Sequence, residues 1–175
     1  MRLKIYAFNL VKSTNDASIR KIKSKNNQGI IISNKQSKGR GRYGKTWISI
    51  KGNLFMSIFF KIHKKVKLKK ITNENCLIVK RSISKFLTKK IKIKPPNDLL
   101  INKQKFCGIL QETFFNNNNK FLIIGIGINV VGCPKLNNYP TTYLNKYTKK
   151  RVDKLLIFRS IKQMFEKSLK NKNQL

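Results

Sequence analysis

Acidic residues are scarce in this chain of 175 residues: six Asp and Glu stand against 40 Lys and Arg, for a net charge of +34. So few carboxylates make a paired-carboxylate glycosidase or a two-metal nuclease hard to assemble. Histidine is almost missing. The one imidazole, His63, sits in the basic run Lys61-Ile62-His63-Lys64-Lys65, whereas Ser-His or Cys-His catalysis needs a base beside its nucleophile. Hydrolase triads are thereby disfavoured. The three cysteines, Cys76, Cys107 and Cys133, are odd in number and far apart, with no Cys-x-x-Cys pair. That argues against a disulfide framework or a zinc site and for reduced thiols. No apolar run approaches the roughly 18 residues of a membrane span. Met1-Arg2-Leu3-Lys4 leads into no signal-type hydrophobic segment. The expected protein is soluble and cytoplasmic, with no membrane partner. No Gly-x-x-x-x-Gly-Lys-Ser/Thr loop is present, which removes a P-loop nucleotidase. Gly125-Ile126-Gly127-Ile128-Asn129 lacks the third glycine and the following helix of a dinucleotide fingerprint.

What remains is enough for a packed domain. Hydrophobic residues make up 40% of the chain and include eleven Phe, so whole-chain disorder is excluded. A chain of this length buries about 70% of its unfolded surface, and a single domain over residues 1–175 is expected. The charge invites a nucleic-acid reading. However, Lys outnumbers Arg 33 to 7, and Lys, Asn and Ile together supply 76 of the 175 residues. All three have AT-rich codons, and the lysines are spread along the whole chain rather than gathered with aromatics on one element. No specific DNA partner is expected. Attraction of acidic proteins and nonspecific RNA binding at low salt are.

Periodicity gives a mixed set of elements. Leu3 to Phe8 alternates like a strand, and Ser13-Thr14-Asn15-Asp16 offers N-cap side chains before a helix to about Lys25. Gly29 to Ser33 carries three consecutive Ile, the pattern of a strand buried on both faces. From Asn34 to Thr46 apolar residues vanish, which predicts a long functional loop. Leu54 to Ile62 reads as a strand. Asn73 to about Lys89 reads as an amphipathic helix with Leu77, Ile78, Ile83, Phe86 and Leu87 inward. Short strands follow at Ile91 to Lys94, Asp98 to Ile101, Lys105 to Thr113 and Phe121 to Val130, with turns at Asn102-Lys103-Gln104 and Asn116 to Asn119. A helix from about Val152 to Leu169 closes the chain. The class is mixed α/β or α+β, a mixed β-sheet flanked by helices.

Three clusters carry chemistry. Gly39-Arg40-Gly41-Arg42-Tyr43-Gly44-Lys45-Thr46-Trp47 sets two guanidinium groups among glycines that let backbone approach a ligand, with Trp47 as an apolar anchor. Taken alone, this segment is also consistent with a solvated RNA-attracting loop. Lys94-Pro95-Pro96-Asn97-Asp98-Leu99 is a rigid corner presenting Asn97 and Asp98. Taken alone, it could be an ordinary turn. Lys105-Phe106-Cys107-Gly108-Ile109-Leu110 opens an apolar strand with a lysine, and Gly108 permits close approach.

The order and spacing of these clusters closely resemble the biotin protein ligase family. The resemblance runs from Ser13-Thr14-Asn15 and Gln36 through Gly39-Arg40-Gly41-Arg42-x-Gly-x-x-Trp47, Pro96-Asn97-Asp98-Leu99, Lys105-x-x-Gly108-Ile109-Leu110 and Gly125-x-Gly127-Ile128-Asn129. It covers residues about 10 to 130. One departure stands out: the family's Lys-Trp-Pro-Asn-Asp has Pro95 here in place of the Trp.

The resemblance implies a biotin/lipoyl ligase-like catalytic domain, related in fold to class II aminoacyl-tRNA synthetases. It implies ATP and biotin as substrates with Mg²⁺, formation of biotinyl-5'-AMP, and transfer to a lysine of the biotin carboxyl carrier protein of acetyl-CoA carboxylase. Lys105, Arg40 and Arg42 would be the catalytic cations, because the carboxylate and the α-phosphate repel one another. Ser13, Thr14, Asn15, Gln36, Arg40, Gly41, Arg42, Lys105 and Gly108 would hold biotin. Arg42, Trp47, Lys94, Asn97, Asp98 and Asn129 would hold the nucleotide, with Asp98 at the ribose or a Mg²⁺-bound water. The family's N-terminal helix-turn-helix domain and its small C-terminal β domain are not expected here. A homodimer is left open. The rivals are a lipoate or octanoate ligase or transferase, a basic RNA-binding module, and a folded but inactive ligase.

Overall fold

The computed structural model describes residues 2–136 and 139–172. Its centre is the run Leu54–Phe60, every residue of which is buried. Such a run is stable only as an inner strand covered on both faces. It forms β3 (Leu54–Ile62), third in a seven-stranded sheet of order β1-β2-β3-β7-β6-β5-β4. The other strands are β1 (Ile5–Val11), β2 (Gln28–Gln36), β4 (Lys92–Lys94), β5 (Asp98–Ile101), β6 (Gln104–Asn116) and β7 (Asn119–Ile128). β1 and β2 are parallel, joined through helix α1 (Thr14–Lys23), and every other pairing is antiparallel. The sheet is therefore mixed and the class α+β. The hairpin between β5 and β6 turns on Asn102 and Lys103, both left-handed at φ 48° and 63°, the backbone that a two-residue turn between twisted strands requires. Asn117, at φ 51°, serves the β6–β7 turn.

Alternation along the strands sends residues to two unequal cores. Ile30, Met56, Ile58, Ile109, Ile124 and Ile126 face helices α2 (Leu68–Ser84) and α3 (Lys154–Lys172), where they meet Val79, Ile83, Ile157 and Phe165. On the opposite face Ile31, Phe59, Phe121 and Ile123 pack under α1 against Ala17 and Ile22. α1 covers only part of that face. The remainder, where Gly108, Gly125 and Gly127 occur on adjacent strands, becomes the floor of a cavity.

α2 departs from the helix expected at Asn73 to Lys89. It begins five residues earlier, at Leu68, and ends at Ser84. Lys67 supplies no side-chain cap, so the sequence carries no start signal there. Leu77, expected inward, is 40% exposed, and Ile71, Cys76 and Val79 take the buried positions. Among the described residues no helix is long and apolar enough to cross a membrane.

Candidate functional site

The site begins where β1 hands over to α1. Ser13 is extended at φ −148° and caps the helix, its Oγ accepting from Asp16 N at 3.4 Å. That cap turns Thr14 and Asn15, 4% and 2% exposed, into the sheet rather than toward solvent. Thr14 donates from its N and Oγ1 to Gln36 Oε1 at 2.8 and 3.1 Å. The hydroxyl of Ser57, fully buried on β3, lies 2.7 Å from Thr14 Oγ1 and 2.6 Å from Asn15 Oδ1. Asn15 Nδ2 donates to Glu112 Oε2 at 2.6 Å. The Asn15 carboxamide occupies the space that a side chain at Gly125 would need. Neutral donors and acceptors thus crowd one end of the cavity, and buried polar groups of this kind are stable only when paired.

The glycine–arginine loop folds back on itself over the cavity. Trp47 N donates to Gly39 O at 2.9 Å, Gly41 N to Lys45 O at 2.6 Å, and Arg40 bridges Thr46. Tyr43 and Gly44 turn the tip, at φ 53° and 71°. The loop drops the Trp47 ring onto the glycine floor. A Cβ at Gly108 would fall 2.7 Å from Trp47 Cζ3, and one at Gly127 would fall 2.5 Å from Cε2. Trp47 Nε1 is buried against this floor and, among the described residues, has no hydrogen-bond partner.

Cations form the other end. Lys105, opening β6, places Nζ 2.7 Å from Asp98 Oδ1, with the two side chains 24% and 16% exposed. Nζ also stands over the rings of Trp47 and Tyr139 at 5.5 and 5.7 Å. Lys94 lies 4.6 Å over the other contact of that group, the Tyr139 ring, and Tyr139 Oη donates to Asp98 Oδ2 at 3.4 Å. The Pro95-Pro96 corner holds Asn97, whose Nδ2 donates to Ile109 O at 2.9 Å and whose Oδ1 accepts from Arg42 Nη1 at 3.3 Å. Arg42 also reaches the Tyr43 hydroxyl at 2.7 Å. Arg40 points elsewhere: it grips Glu112 through two bonds of 2.9 and 2.8 Å and Asp16 at 3.0 Å. Burial alone would lower the pKa of its guanidinium, but hydrogen bonding and charge from Glu112, then Asp16, more than offset this and hold it above its ordinary value.

The fourteen residues expected to hold biotin or the nucleotide all line one cavity of about 610 Å³: Ser13, Thr14, Asn15, Gln36, Arg40, Gly41, Arg42, Trp47, Lys94, Asn97, Asp98, Lys105, Gly108 and Asn129. Their side chains are not all free. Asn129 is 2% exposed; its Nδ2 donates to Thr142 O at 3.1 Å and its Oδ1 accepts from Asn53 Nδ2 at 3.4 Å. Asn53, unremarked in the sequence, also accepts from Val130 N and Val131 N at 2.9 and 3.0 Å and so shapes the chain leaving β7. Ser57, Glu112 and Tyr139 are likewise unmarked in the sequence, and Asp16 is marked there only as an N-cap candidate. Glu112 had a signal, since a period of two from Gly108 through Leu110 puts it on the cavity face of β6. Asp98 is the one carboxylate among the described lining residues, and no group of three or more metal-ligating side chains occurs among the described residues.

The profile of the biotin/lipoate A/B protein ligase family matches residues 7–129. The bifunctional ligase/repressor BirA of Bacillus subtilis is 32% identical over 147 residues, which cover 79% of this chain and 45% of that protein. Biotin–protein ligase 2 of Arabidopsis thaliana is 32% identical over 126 residues, covering 69% and 37%. The chain thus spans less than half the length of these sequence relatives. Among solved structures, the biotin protein ligase of Aquifex aeolicus in complex with biotin and ATP superposes with a TM-score of 0.79 at 26% identity, over 95% of this chain and 70% of that one. The Leishmania major biotin protein ligase, at 24% identity and the same TM-score, shares the fold. From these matches and the site they coincide with, the chain belongs to the biotin/lipoate A/B protein ligase family.

Proposed function

We propose that this chain activates biotin with MgATP and passes the biotinyl group to a carrier lysine. The observation that carries the reading is the division of one cavity into a neutral hydrogen-bonding end, at Ser13, Thr14, Asn15 and Gln36, and a cationic end, at Arg42, Lys94 and Lys105. A ureido head is neutral and needs both donors and acceptors. Its acyl chain would lie against the Trp47 ring, which itself rests on Gly108 and Gly127, bringing the carboxylate to Lys105.

There the chemistry meets its main obstacle, the approach of one anion to another. In the first step a carboxylate oxygen forms a bond to the α-phosphorus while the bond to the bridging oxygen breaks, and pyrophosphate leaves. Lys105 and Arg42 neutralise the charge shared by the two oxygens, and positioned cations in a partly desolvated site act most strongly where that charge develops. Asp98 holds the Lys105 ammonium in place beforehand. In the second step the carrier's ε-amine attacks the acyl carbon, AMP departs with the bonding pair, and the amine loses a proton. Magnesium enters as part of the nucleotide substrate. The loop over the cavity would shield the mixed anhydride from water. Asn129 would serve the nucleotide end by fixing the backbone around Thr142 rather than by its own carboxamide. The carrier we propose is the biotin carboxyl carrier domain of acetyl-CoA carboxylase, an acidic partner for a chain of net charge +34.

Lipoate and octanoate end in apolar groups, which offer no donor or acceptor to the hydroxyls and carboxamides around Asn15, whereas a ureido head would exchange hydrogen bonds with them. Mass spectrometry of an acidic biotin carboxyl carrier domain incubated with the protein tests the reading. One biotinyl group should appear on one lysine only when both biotin and ATP are supplied, and lipoate or octanoate should give none. Transfer of lipoate in preference to biotin, or no ATP-dependent transfer at all, would overturn it.

A further inference from the structure

The Arg40 guanidinium faces a carboxylate rather than the cationic end of the cavity, and that carboxylate has a second task. Glu112 accepts from Arg40 with both oxygens, at 2.9 and 2.8 Å, and from Asn15 Nδ2 at 2.6 Å. Through Asn15 it joins Ser57, Thr14 and Gln36 in an unbroken line of polar contacts, each between 2.6 and 3.1 Å. One end of this line is the glycine–arginine loop and the other is the neutral end of the cavity.

We propose that Glu112 is a positioning residue, the latch that holds the glycine–arginine loop closed through Arg40 and ties its closure to the hydrogen-bonding end of the cavity. The inference deepens the biotin-activation reading and rests on it for the ligand. Its physical basis is a division of labour between the two arginines. Arg40 is spent on Glu112 and Asp16, in a forked geometry that lysine could not reproduce. Arg42, whose hydrogen-bond partners among the described residues are the neutral Asn97 and Tyr43 hydroxyl, remains the guanidinium that can turn to a phosphate. Because Asn15 Nδ2 and Arg40 share Glu112, a ligand that reorients the Asn15 carboxamide alters the same carboxylate that fastens the loop.

Glu112→Gln tests this with little change of shape, keeping an acceptor for Asn15 but removing the charge that Arg40 requires. Two readouts apply. The first is hydrogen exchange, followed by mass spectrometry, of the segment 38–48 in the free protein. It should quicken about five- to tenfold in the variant, the scale of a lost charge-assisted pair at partial exposure, with α2 and α3 unchanged. The second is retention of biotinyl-5'-AMP in a single-turnover chase, which should shorten by a similar factor. In an Arg40→Gln background the same Glu112→Gln change should alter both readouts less than about twofold, because the tie is already gone. An unchanged loop exchange rate, or effects that simply multiply in the double variant, would overturn the latch. Failure of the wild-type protein to form any adenylate would instead overturn the activation reading, and the loop exchange in the free protein would still decide the role of Glu112.

Discussion

At Gly127 an added Cβ would stand 2.5 Å from Trp47 Cε2, and its other near neighbours belong to the same ring. The glycine therefore decides where the chain's single Trp can lie, and the ring in turn roofs the floor shared by Gly108. Gly127→Ala should displace the indole and destabilise the fold by about 1–3 kcal/mol, the usual cost of overpacking. Trp47 fluorescence is the check: its emission should move to the red and become more accessible to a soluble quencher. Emission identical to that of the wild type would mean that the ring does not rest on Gly127. Residues of this kind are legible in sequence only as motif members. The spacing Gly125-x-Gly127 marks close approach, but nothing in it says that Asn15 fills one gap and Trp47 the other. Glu112 and Ser57 were less legible still. Glu112 and Asn15 are 97 residues apart, and a pairing at that distance leaves no local pattern.

Among the elements, those whose local signals agreed were read correctly. β3 has the bounds expected, because an unbroken apolar run flanked by polar residues admits few alternatives. β6 extends beyond the residues anticipated and β7 begins earlier, at Asn119, as strand pairing carries Phe114, Phe115 and Asn119 into the hairpin, while β7 ends at Ile128 rather than at Val130. α2 slipped because its first turn has no cap and its buried stripe runs through Cys76 and Val79 rather than Leu77. α3 is fastened to the opposite end of the chain by one carboxylate. Glu166 accepts from Leu3 N at 2.7 Å and pairs with Lys162 at 2.8 Å. Burial would raise its pKa, but the hydrogen bonds from Lys162 and Leu3 outweigh this and hold it below the ordinary carboxylate value. A depressed folded pKa means that the unfolded chain takes up the proton first. The stabilisation is thus complete above the ordinary glutamate range, about pH 4.3, and is lost as pH falls through the folded value. In chemical denaturation between pH 7 and 3, Glu166→Gln should flatten this part of the pH dependence. An unaltered slope would show that Glu166 contributes nothing to it.

For the whole molecule, the imbalance of charge is the dominant feature, and its few acids are concentrated where they organise cations. Asp98 faces Lys105, Asp16 and Glu112 face Arg40, and Glu166 faces Lys162, while Asp153 caps α3 by accepting from Leu156 N at 2.8 Å. Three of the six carboxylates therefore sit at or beside one cavity, so the sequence's poverty in acid is no sign that acids are idle. The net charge by itself pointed toward nucleic acid as readily as toward an acidic carrier. Within the cavity the cations Arg42, Lys94 and Lys105 lie with the neutral, hydrogen-bonding residues Ser13, Thr14, Asn15 and Gln36 in one concave space, the form of a small-molecule site. Biotin-dependent exchange of labelled pyrophosphate into ATP, compared between the wild type and Lys105→Ala with melting temperatures recorded alongside, bears most directly on this chemistry. Exchange should require biotin in the wild type and fall by about 10²–10³-fold in the variant, the scale of losing one preorganised charge-stabilising group. A folded Lys105→Ala protein that exchanged near the wild-type rate, or wild-type exchange indifferent to biotin, would contradict it.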